Sequence, residues 1–288
     1  MPVDVALRSK GIGASEIACV VGLHPTRSAF DLWLAKTGQV EQEDFASNPR
    51  VRWGRLLEQA IAQGYAIETN REIEWFDKTI LGRHPYQVLT PDAFVVHEPI
   101  GVDCKNVAWD QAGKFGEPGT AEVPDRIALQ CHWSLSALPE RERWDVAALF
   151  GGHNLKVYIV VRDEEVEAML VEAGERFWVD HVLNGKAPEI TATDSTLEWL
   201  KKRFPDNDGA LRTPTLEEED LLNCYRLADE EFDIAEKNKK DLEARLKFAI
   251  AESEGFIWSG GTVTFKKVRG GPRSYVVPDH RRLHKNFK

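Results

Sequence analysis

The spacing of apolar residues along the chain alternates between a helical and a strand period. Apolar positions three and four residues apart predict helices near residues 15–21, 28–37, 50–68, 124–138 and 163–184. Short apolar or alternating runs predict strands near residues 72–77, 88–96, 100–106, 146–150 and 155–161. Helices and strands in this order predict an α/β fold, with a mixed central sheet and helices on its faces.

The last third of the chain has a different pattern. Residues 204–214 are rich in Pro, Asp, Asn and Gly, which predicts a linker. Beyond it, apolar residues recur at alternating four- and three-residue steps, the mark of a heptad stripe on a long helix or helical hairpin. The stripe consists of Leu221, Tyr225, Ala228, Phe232, Ala235, Leu242, Leu246 and Ala249. We therefore expect one domain over residues 1–205 and a helical extension over residues 206–288.

The sequence leaves two questions about the extension open. Its heptad stripe packs on the rest of its own domain, or it mediates self-association or the docking of a partner. The chain ends in a basic tail, Arg281 to Lys288, which contacts DNA or an acidic partner surface, or is simply solvated.

Two short motifs place carboxylates and a lysine on the middle strands. Pro91-Asp92 precedes the apolar run that starts at Ala93, and Asp103-Cys104-Lys105 ends the next strand, after a turn at Glu98-Pro99. A hairpin of this kind brings Asp92 and Asp103 together at one end. Since side chains two residues apart in a strand share a face, Asp103 and Lys105 point together and Cys104 points into the core.

Two carboxylates and a lysine at this spacing suit the metal-assisted hydrolysis of a phosphodiester. Mg²⁺ takes oxygen ligands from one or two carboxylates, keeps several waters and binds substrate phosphate oxygens in its remaining positions. Mn²⁺ is the expected substitute. The metal lowers the pKa of the attacking water, which Lys105 orients or deprotonates. The alternative is a hairpin turn with a surface Asp–Lys pair, which arises by chance in many soluble proteins.

Further blocks around these motifs resemble a known nuclease family. In chain order the blocks are Arg8-Ser-Lys-Gly-Ile-Gly-Ala-Ser15-Glu16, Trp53-Gly54 with Glu58, Thr90-Pro91-Asp92, Asp103-Cys104-Lys105, Gln130, and Leu155 to Glu164. Their order resembles the phage-type alkaline exonucleases, the lambda exonuclease and YqaJ-type viral recombinase family of the PD-(D/E)xK nucleases. The resemblance implies that residues 1–205 form the restriction-endonuclease-like core of that superfamily.

The resemblance implies roles for the motif residues. It implies four metal ligands, namely Asp92, Asp103, Glu58 and the backbone carbonyl of Cys104. Lys105 and Gln130 are implied to hold the attacking water. From the residues alone, Glu58 is a solvated glutamate on an amphipathic helix, whereas Gln130 lies among apolar neighbours and needs hydrogen-bond partners.

The segment from Arg8 to Ser15 is a candidate site for a phosphate group. Gly11 and Gly13 leave the backbone uncovered just before a helix that we expect to begin near Ser15, with an arginine nearby. In the family this element resembles the pocket for a terminal 5′-phosphate, which implies an exonuclease. The alternative is that Ser15 only caps the helix. Arg27 and Arg55 are further candidates for binding the substrate.

The chain departs from the family pattern at two positions. Ile127 stands where members commonly carry a tyrosine, three residues before the helix glutamine, so a DNA contact made by that tyrosine is in doubt. Asp103 stands where close relatives often carry glutamate. Because both carboxylates are ligands of hard cations, we expect the site to tolerate the shorter side chain.

Charge and cysteine content bear on whether the chain binds DNA or an iron–sulfur cluster. A formal net charge of −10 and a pI near 5.4 are unusual for a protein that binds DNA. An acidic core that encloses DNA in a channel lined by basic residues fits this composition, and so do basic residues that merely coat helices. The cysteines at positions 19, 104, 131 and 224 are isolated, which predicts buried free thiols and argues against an iron–sulfur cluster.

Targeting and motor sequences do not appear in the chain. The first residues lack the apolar centre of a signal peptide, and no apolar run reaches the length of a membrane span. We therefore expect a soluble protein in the bacterial cytoplasm. No phosphate-binding loop of an ATP-driven motor is present in the sequence.

The function implied by the resemblance is a Mg²⁺-dependent exonuclease. It degrades one strand of linear duplex DNA from the 5′ end and leaves 3′ overhangs for phage-type recombination. Family members form a ring-shaped trimer and work with a single-strand annealing protein. The alternatives are a structure-selective or restriction-like endonuclease with the same site, and a non-catalytic DNA-binding or assembly module.

Overall fold

The structure, a computed structural model, describes residues 5–40, 49–76 and 78–266. The chain divides into two compact units, Met1–Leu200 and Lys201–Lys288, and each is described by itself. The domain boundary expected after residue 205 stays a prediction.

The first unit contains helices and short strands in alternation. Its helices are α1 (Val5–Arg8), α2 (Ile17–Val20), α3 (Ala29–Lys36), α4 (Pro49–Thr69), α5 (Asp125–Ala137) and α6 (Glu164–Arg176), and α7 (Asp194–Arg203) begins in the first unit and ends in the second. Its strands are β1 (Ile12–Gly13), β2 (Ile73–Trp75), β3 (Ile80–Leu81), β4 (Gln87–Leu89), β5 (Ala93–Val95), β6 (Ile100–Val107), β7 (Arg143–Phe150) and β8 (Asn154–Val161). Short 3-10 helices cover Ala14–Glu16 and Trp109–Lys114, and a π-helix over Phe177–Leu183 continues α6.

A five-stranded mixed sheet forms the centre of this unit. Its strand order is β2-β5-β6-β7-β8, in which β6 and β7 run parallel and the other neighbours run antiparallel. A smaller sheet has the order β1-β4-β3. The predicted α/β fold with a mixed sheet flanked by helices is therefore confirmed.

Two helices cover opposite faces of the central sheet because successive strand residues point to opposite sides. On one face, Ile61 and Tyr65 of α4 are buried against Val102 and Cys104 of β6. On the other face, buried residues of α5, β7 and β8 pack together in one apolar cluster. That cluster contains Ile127, Cys131, Leu135, Trp144, Val146, Phe150, Tyr158 and Val160.

Helix α5 also joins the sheet to the N-terminal elements. Its Trp133 is fully buried in a third apolar cluster, with residues of β1, α2, α3 and α6, and its indole N–H donates to the carbonyl of Ile12 at 3.2 Å. In α3, Ser28 and Asp31 cap the first turn reciprocally, since each side chain accepts a hydrogen bond from the other's backbone N–H. The N-terminal segment is thus fixed against the helix that carries Gln130.

The strand predicted over residues 88–96 is wrong as a single element. The structure has two strands, β4 and β5, which belong to different sheets and are separated by Thr90, Pro91 and Asp92. Proline cannot donate a hydrogen bond to a neighbouring strand and therefore favours a break at this point. The break leaves Asp92 at the start of β5.

The second unit is dominated by one helix. Helix α8 runs over Leu216–Ile250 without interruption, so the heptad stripe lies on a single helix and not on a hairpin. Thr215 caps it by accepting from the N–H of Glu218 at 3.3 Å. An antiparallel hairpin of β9 (Gly255–Trp258) and β10 (Gly261–Thr264) follows, which the apolar pattern did not predict.

Three of the four cysteines match their prediction. Cys19, Cys104 and Cys131 are buried free thiols, but Cys224 on α8 is exposed, so the expectation of burial is wrong there. Almost every residue of α8 is exposed, which explains the difference. The basic tail over residues 281–288 lies outside the described residues. Across the described ranges, no helix combines the length and apolar character needed to cross a membrane.

Candidate active site

The two aspartates meet at the end of the β5–β6 hairpin. Ala93 pairs with Val102 in antiparallel register, so Asp92 and Asp103 are opposite each other one position beyond. One carboxylate oxygen of Asp92, Oδ2, accepts a hydrogen bond from the N–H of Cys104 at 2.6 Å. This bond fixes the Asp92 carboxylate beside the strand that carries Asp103.

Asp103 is the centre of a buried polar group. Its side chain is 3% exposed, and its Oδ2 lies 3.1 Å from the Nζ of Lys105. The amide Nε2 of Gln130 on α5 donates a short hydrogen bond to the same oxygen, and Lys105 donates to Oε1 of Gln130 at 3.3 Å. We call Asp92, Asp103, Lys105 and Gln130 the carboxylate cluster.

Burial and mutual repulsion perturb the charges of the carboxylate cluster. Burial, and next the charge of Asp103, raise the pKa of Asp92 to about 8. Burial alone lowers the pKa of Lys105, but Asp103 and Asp92 raise it, and the pKa ends above its ordinary value. Lys105 is therefore a cationic donor at neutral pH, and Asp92 is a carboxyl group that holds a proton unless a cation replaces it.

Glu58 lies at the edge of the carboxylate cluster. Burial raises the pKa of Glu58, while the charges of Lys105 and Arg55 oppose that rise. Arg55, one turn earlier on α4, is exposed. Within residues 5–40, 49–76 and 78–266, no three His, Cys, Asp or Glu side chains are grouped so that they could hold a metal ion together. The role of Glu58 as a metal ligand beside Asp92 and Asp103 therefore stays a prediction.

The donor atoms of the carboxylate cluster suit a hard cation. Mg²⁺ needs only one or two carboxylates, since it keeps waters and takes substrate oxygens. Asp103 supplies a buried carboxylate and Asp92 a half-buried one against one lysine, so a divalent cation would relieve their repulsion and displace the proton from Asp92. The residues present therefore fit a magnesium ion.

Arg8, Ser15 and Arg27 belong to a second group of polar residues. Arg8 ends α1, and Ser15 is an exposed residue within the 3-10 turn Ala14–Glu16. The interpretation of Ser15 as a helix cap is wrong, because the side chain of Glu16 accepts the N–H of Gly13 at 2.7 Å and closes the turn. The helix that follows, α2, has only one turn, so its dipole adds little at this site.

A buried ion pair holds this second group, and the sequence did not predict it. Glu16 Oε2 lies 2.7 Å from Nζ of Lys36 at the end of α3. Burial raises the pKa of Glu16, but Lys36, the N–H of Gly13 and the nearby Arg8 together hold it below its ordinary value. The three-residue spacing from Gly13 to Glu16, which resembles that of a capping box, was the one available signal.

Comparison with known proteins identifies related sequences. A family model described as the YqaJ-like viral recombinase domain matches residues 5–137. The protein named "Uncharacterized protein YqaJ" from Bacillus subtilis (strain 168) is 30% identical over 257 residues, which are 87% of this chain and 78% of that protein.

A solved structure shares the fold. LHK-Exo, an alkaline exonuclease from Laribacter hongkongensis whose crystal structure contains dAMP, superposes with a TM-score of 0.51 at 17% identity, over 69% of this chain and 95% of LHK-Exo. A phage-related exonuclease from Haemophilus somnus 129PT superposes with a TM-score of 0.44 at 13% identity, over 61% of this chain and 96% of that protein. At 17% identity, the match to LHK-Exo concerns the fold.

Proposed function

This chain belongs to the YqaJ-like viral recombinase family, and on that premise we propose that it is a Mg²⁺-dependent exonuclease. It degrades one strand of linear duplex DNA from the 5′ end and leaves 3′ single-stranded overhangs for phage-type recombination. The observation that carries the proposal is the Asp103 carboxylate, bound by Lys105 and Gln130 and opposite Asp92 at the end of one hairpin.

The protein's own residues divide the work of hydrolysis. Asp92, Asp103 and the backbone carbonyl of Cys104 would hold the metal, with Glu58 as a further oxygen donor at the edge. Mg²⁺, or Mn²⁺ in its place, supplies a water of lowered pKa and neutralises charge on the phosphate. Lys105, whose Nζ lies 3.1 Å from Asp103, would orient or deprotonate the attacking water.

Gln130 positions Lys105 in this mechanism. It accepts from the lysine through Oε1 and donates to Asp103 through Nε2, so both side chains are held at fixed distances before substrate arrives. Its hydrogen bonds extend from α5 across to β6, and the helix is anchored by a buried core on that face. A preorganised donor of this kind lowers the cost of reorganisation during the reaction.

Basic residues outside the carboxylate cluster are proposed to bind the DNA. Arg8 and Ser15 bind the terminal 5′-phosphate, and Arg27 and Arg55 bind the phosphate backbone. Binding at the end of a strand supports an exonuclease over an endonuclease. LHK-Exo is named as an alkaline exonuclease and was crystallised with dAMP, and a 5′-mononucleotide is the product of the proposed reaction. A homotrimer and a single-strand annealing partner remain part of the proposal through the family resemblance.

Digestion of linear duplex DNA tests the proposed function. The duplex carries 5′-phosphates and a different label at each end, and it is incubated with Mg²⁺ or with a chelator. We expect Mg²⁺-dependent release of the 5′ label as mononucleotides, and a loss of that release in Lys105→Ala. Intact DNA at high protein concentration would leave a binding module as the function.

A covalently closed circular duplex separates the two nuclease functions. An exonuclease that needs a terminal phosphate leaves the circle intact, whereas an endonuclease with the same site cuts it. Cleavage of the circle at a rate similar to that of the linear duplex would replace the exonuclease proposal by the endonuclease alternative.

A further inference from the structure

The Glu16–Lys36 ion pair is buried inside the N-terminal part of the first unit. Its two charged atoms are 2.7 Å apart, and the side chains of Lys36 and Glu16 are 6% and 16% exposed. A buried pair of this kind contributes little net stability, because desolvation of both ions offsets their attraction. Stability therefore does not explain why both members of the pair also contact the neighbouring backbone.

Each member of the pair holds one end of the Arg8–Ser15 segment. Lys36 Nζ donates to the backbone carbonyl of Arg8 at 2.9 Å. Glu16 Oε2 accepts the N–H of Gly13 at 2.7 Å. The ion pair thus joins the residue that carries the arginine side chain to the turn that carries Ser15.

The side chain of Arg8 returns to the same place. A Cβ atom built on Gly13 would lie 3.1 Å from Oε2 of Glu16 and 3.5 Å from Nη2 of Arg8. The guanidinium and the carboxylate therefore approach the same face of Gly13, where glycine leaves room for both. The charge of Arg8 is also one of the causes that lower the pKa of Glu16.

The middle of the segment is pinned to the smaller sheet and to α5. The N–H of Ile12 donates to the carbonyl of Tyr86 at 2.7 Å, and a Cβ on Gly11 would lie only 2.6 Å from that carbonyl oxygen. The carbonyl of Ile12 accepts from Trp133. With the middle fixed, the ion pair links the two ends of the segment through the Arg8 carbonyl and the Gly13 N–H.

Positive charge exceeds negative charge around this pair. Burial lowers the pKa of Lys36, Glu16 opposes that effect, and the nearby charges of Arg8 and Arg27 add to it. Lys36 and Arg8 are therefore two cations that act on the Glu16 carboxylate, which neutralises only one of them. This balance favours an anion as the additional ligand.

We propose that Glu16 and Lys36 form a positioning pair, which holds Arg8 and Ser15 in the geometry that binds the terminal phosphate of a DNA strand. The inference rests on the proposed function, because it assigns the phosphate site of that function. Neither residue contacts the DNA. The pair acts through the Arg8 carbonyl and the Gly13 N–H, so the selectivity of the enzyme for a 5′-phosphate depends on two side chains that the substrate does not reach.

The test compares duplexes that end in a 5′-phosphate with duplexes that end in a 5′-hydroxyl. The preference is the ratio of kcat/KM values with Mg²⁺, and separately the ratio of affinities in chelator, from fluorescence anisotropy of the full-length protein. We expect Lys36→Met to lower both ratios about tenfold, the loss typical of one charge-assisted contact to phosphate. Rates on the 5′-hydroxyl duplex should stay within about twofold of the wild type, whereas a general loss of folding or activity would lower the rates on both duplexes.

A charge swap separates positioning from simple stabilisation. The double variant Glu16→Lys with Lys36→Glu keeps an ion pair, but the side chain at position 16 can then no longer accept from the N–H of Gly13. The side chain at position 36 can likewise no longer donate to the carbonyl of Arg8. We expect the swap to recover part of the Tm lost in Lys36→Met without recovering the preference. Recovery of the full preference by the swap would overturn the inference.

A matched control and a second variant keep the test decisive. Arg162 is a half-buried cation, which pairs with Glu167 and donates to backbone carbonyls of Leu135 and Arg141. Arg162→Met should lower Tm with the preference unchanged. If Lys36→Met does not fold, Gly13→Ala should lower the preference, because its methyl group enters the space between Glu16 and Arg8.

The outcomes for the inference and for the proposed function are distinguishable. A folded Lys36→Met or Gly13→Ala protein with the wild-type preference overturns the inference while digestion by the wild type still stands. A wild type that does not digest DNA removes the proposed function. The ratio of affinities for 5′-phosphate and 5′-hydroxyl duplexes, measured by anisotropy in chelator, then tests the phosphate site by itself. A wild-type affinity ratio of about one also overturns the inference.

Discussion

Two buried lysine–carboxylate contacts in the first unit have opposite charge balance. At one, Lys105 lies 3.1 Å from Asp103, and Asp92 adds a second carboxylate. At the other, Lys36 lies 2.7 Å from Glu16. Burial and repulsion raise the pKa of Asp92 to about 8, whereas Lys36 and its neighbours hold the pKa of Glu16 below its ordinary value in spite of burial.

The difference indicates which kind of ligand each place accepts. Once Asp92 is ionised, the carboxylate cluster has more negative than positive charge, and because its donors are hard oxygen atoms, a divalent cation would stabilise it. Glu16 is close to the two cations Lys36 and Arg8, so a phosphate group would balance the remaining positive charge. In the proposed function, a similar lysine–carboxylate contact would serve a metal at one place and an anion at the other, and the charges around the contact would decide between them.

The largest expected effect comes from removing one charge of the carboxylate cluster. Asp103→Asn preserves size but removes a proposed metal ligand and the partner of Lys105. We expect kcat/KM on linear 5′-phosphorylated duplex to fall by about 10³-fold or more, since several kcal/mol of transition-state stabilisation are lost. Steady-state release of a 5′ label measures it.

Asp145→Asn is the matched control for this change. Asp145 is a fully buried carboxylate on β7, next to β6 in the sheet, but it contacts Tyr65 and Arg143 instead of the carboxylate cluster. We expect a lower Tm and kcat/KM within about threefold of the wild type. Activity of Asp103→Asn within tenfold of the wild type would contradict the proposed role of Asp103.

The next effect is the dependence of stability on pH and Mg²⁺. The pKa of Asp92 is raised from 3.8 to about 8 in the fold, so this group stabilises the metal-free protein most below pH 4 and loses that contribution as pH rises to about 8. Mg²⁺ competes with the proton, so its stabilisation should be small at pH 6 and approach about 2.7 kcal/mol at one hundred times its Kd above pH 8.

Calorimetry of the apo and Mg²⁺-loaded protein from pH 5 to pH 9 measures this competition. Asp92→Asn removes the titrating group, so its metal-free stability should change less over the same range. An increase in Tm on adding Mg²⁺ that is equal at pH 6 and pH 9 would show that the ion does not displace a proton from Asp92.

Local patterns predicted the helices that bury one face against the sheet. The predicted helices over 50–68 and 124–138 correspond to Pro49–Thr69 and Asp125–Ala137, because both have strong periodic apolar faces. The strand over 88–96 failed because its apolar residues continue on both sides of Pro91, and only that proline indicates the break. The β9–β10 hairpin was missed because it is short and largely exposed, so burial does not impose a pattern on it.

The candidate site was predictable to the extent that it is local. Asp92, Asp103 and Lys105 lie on one hairpin, whose alternation and turn are visible in the sequence. Gln130 is 25 residues from Lys105, and only the resemblance to a family connected the two. The Glu16–Lys36 pair depends on how α3 packs against the N-terminal turn, and a lysine at the end of a helix is usually solvated.

A smaller effect is expected from the residue that positions Lys105. Gln130→Ala removes the hydrogen bonds to Lys105 and Asp103 while leaving the charges in place. We expect kcat to fall about 30-fold with KM little changed, because two hydrogen bonds to charged groups are lost where the reaction takes place. Ser134→Ala is the control, since Ser134 donates only to the backbone of its own helix, at the carbonyl of Gln130. Equal losses in the two variants would show a general effect on α5.

The smallest effect is expected at Asp145, a buried carboxylate that accepts two hydrogen bonds on one oxygen. Asp145 Oδ2 accepts from Tyr65 at 2.6 Å and from Arg143 at 2.9 Å. Tyr65→Phe removes one donor while Arg143 remains, so we expect a loss of about 1.5 kcal/mol in the free energy of unfolding by denaturant and an unchanged preference for 5′-phosphate.

Burial and the bond to Asp145 raise the pKa of Tyr65, so the hydroxyl stays a donor throughout the working range and the loss should not depend on pH between 6 and 9. A decrease in kcat beyond about threefold would mean that Asp145 is coupled to the carboxylate cluster, and Asp145→Asn would then not serve as a control for Asp103→Asn.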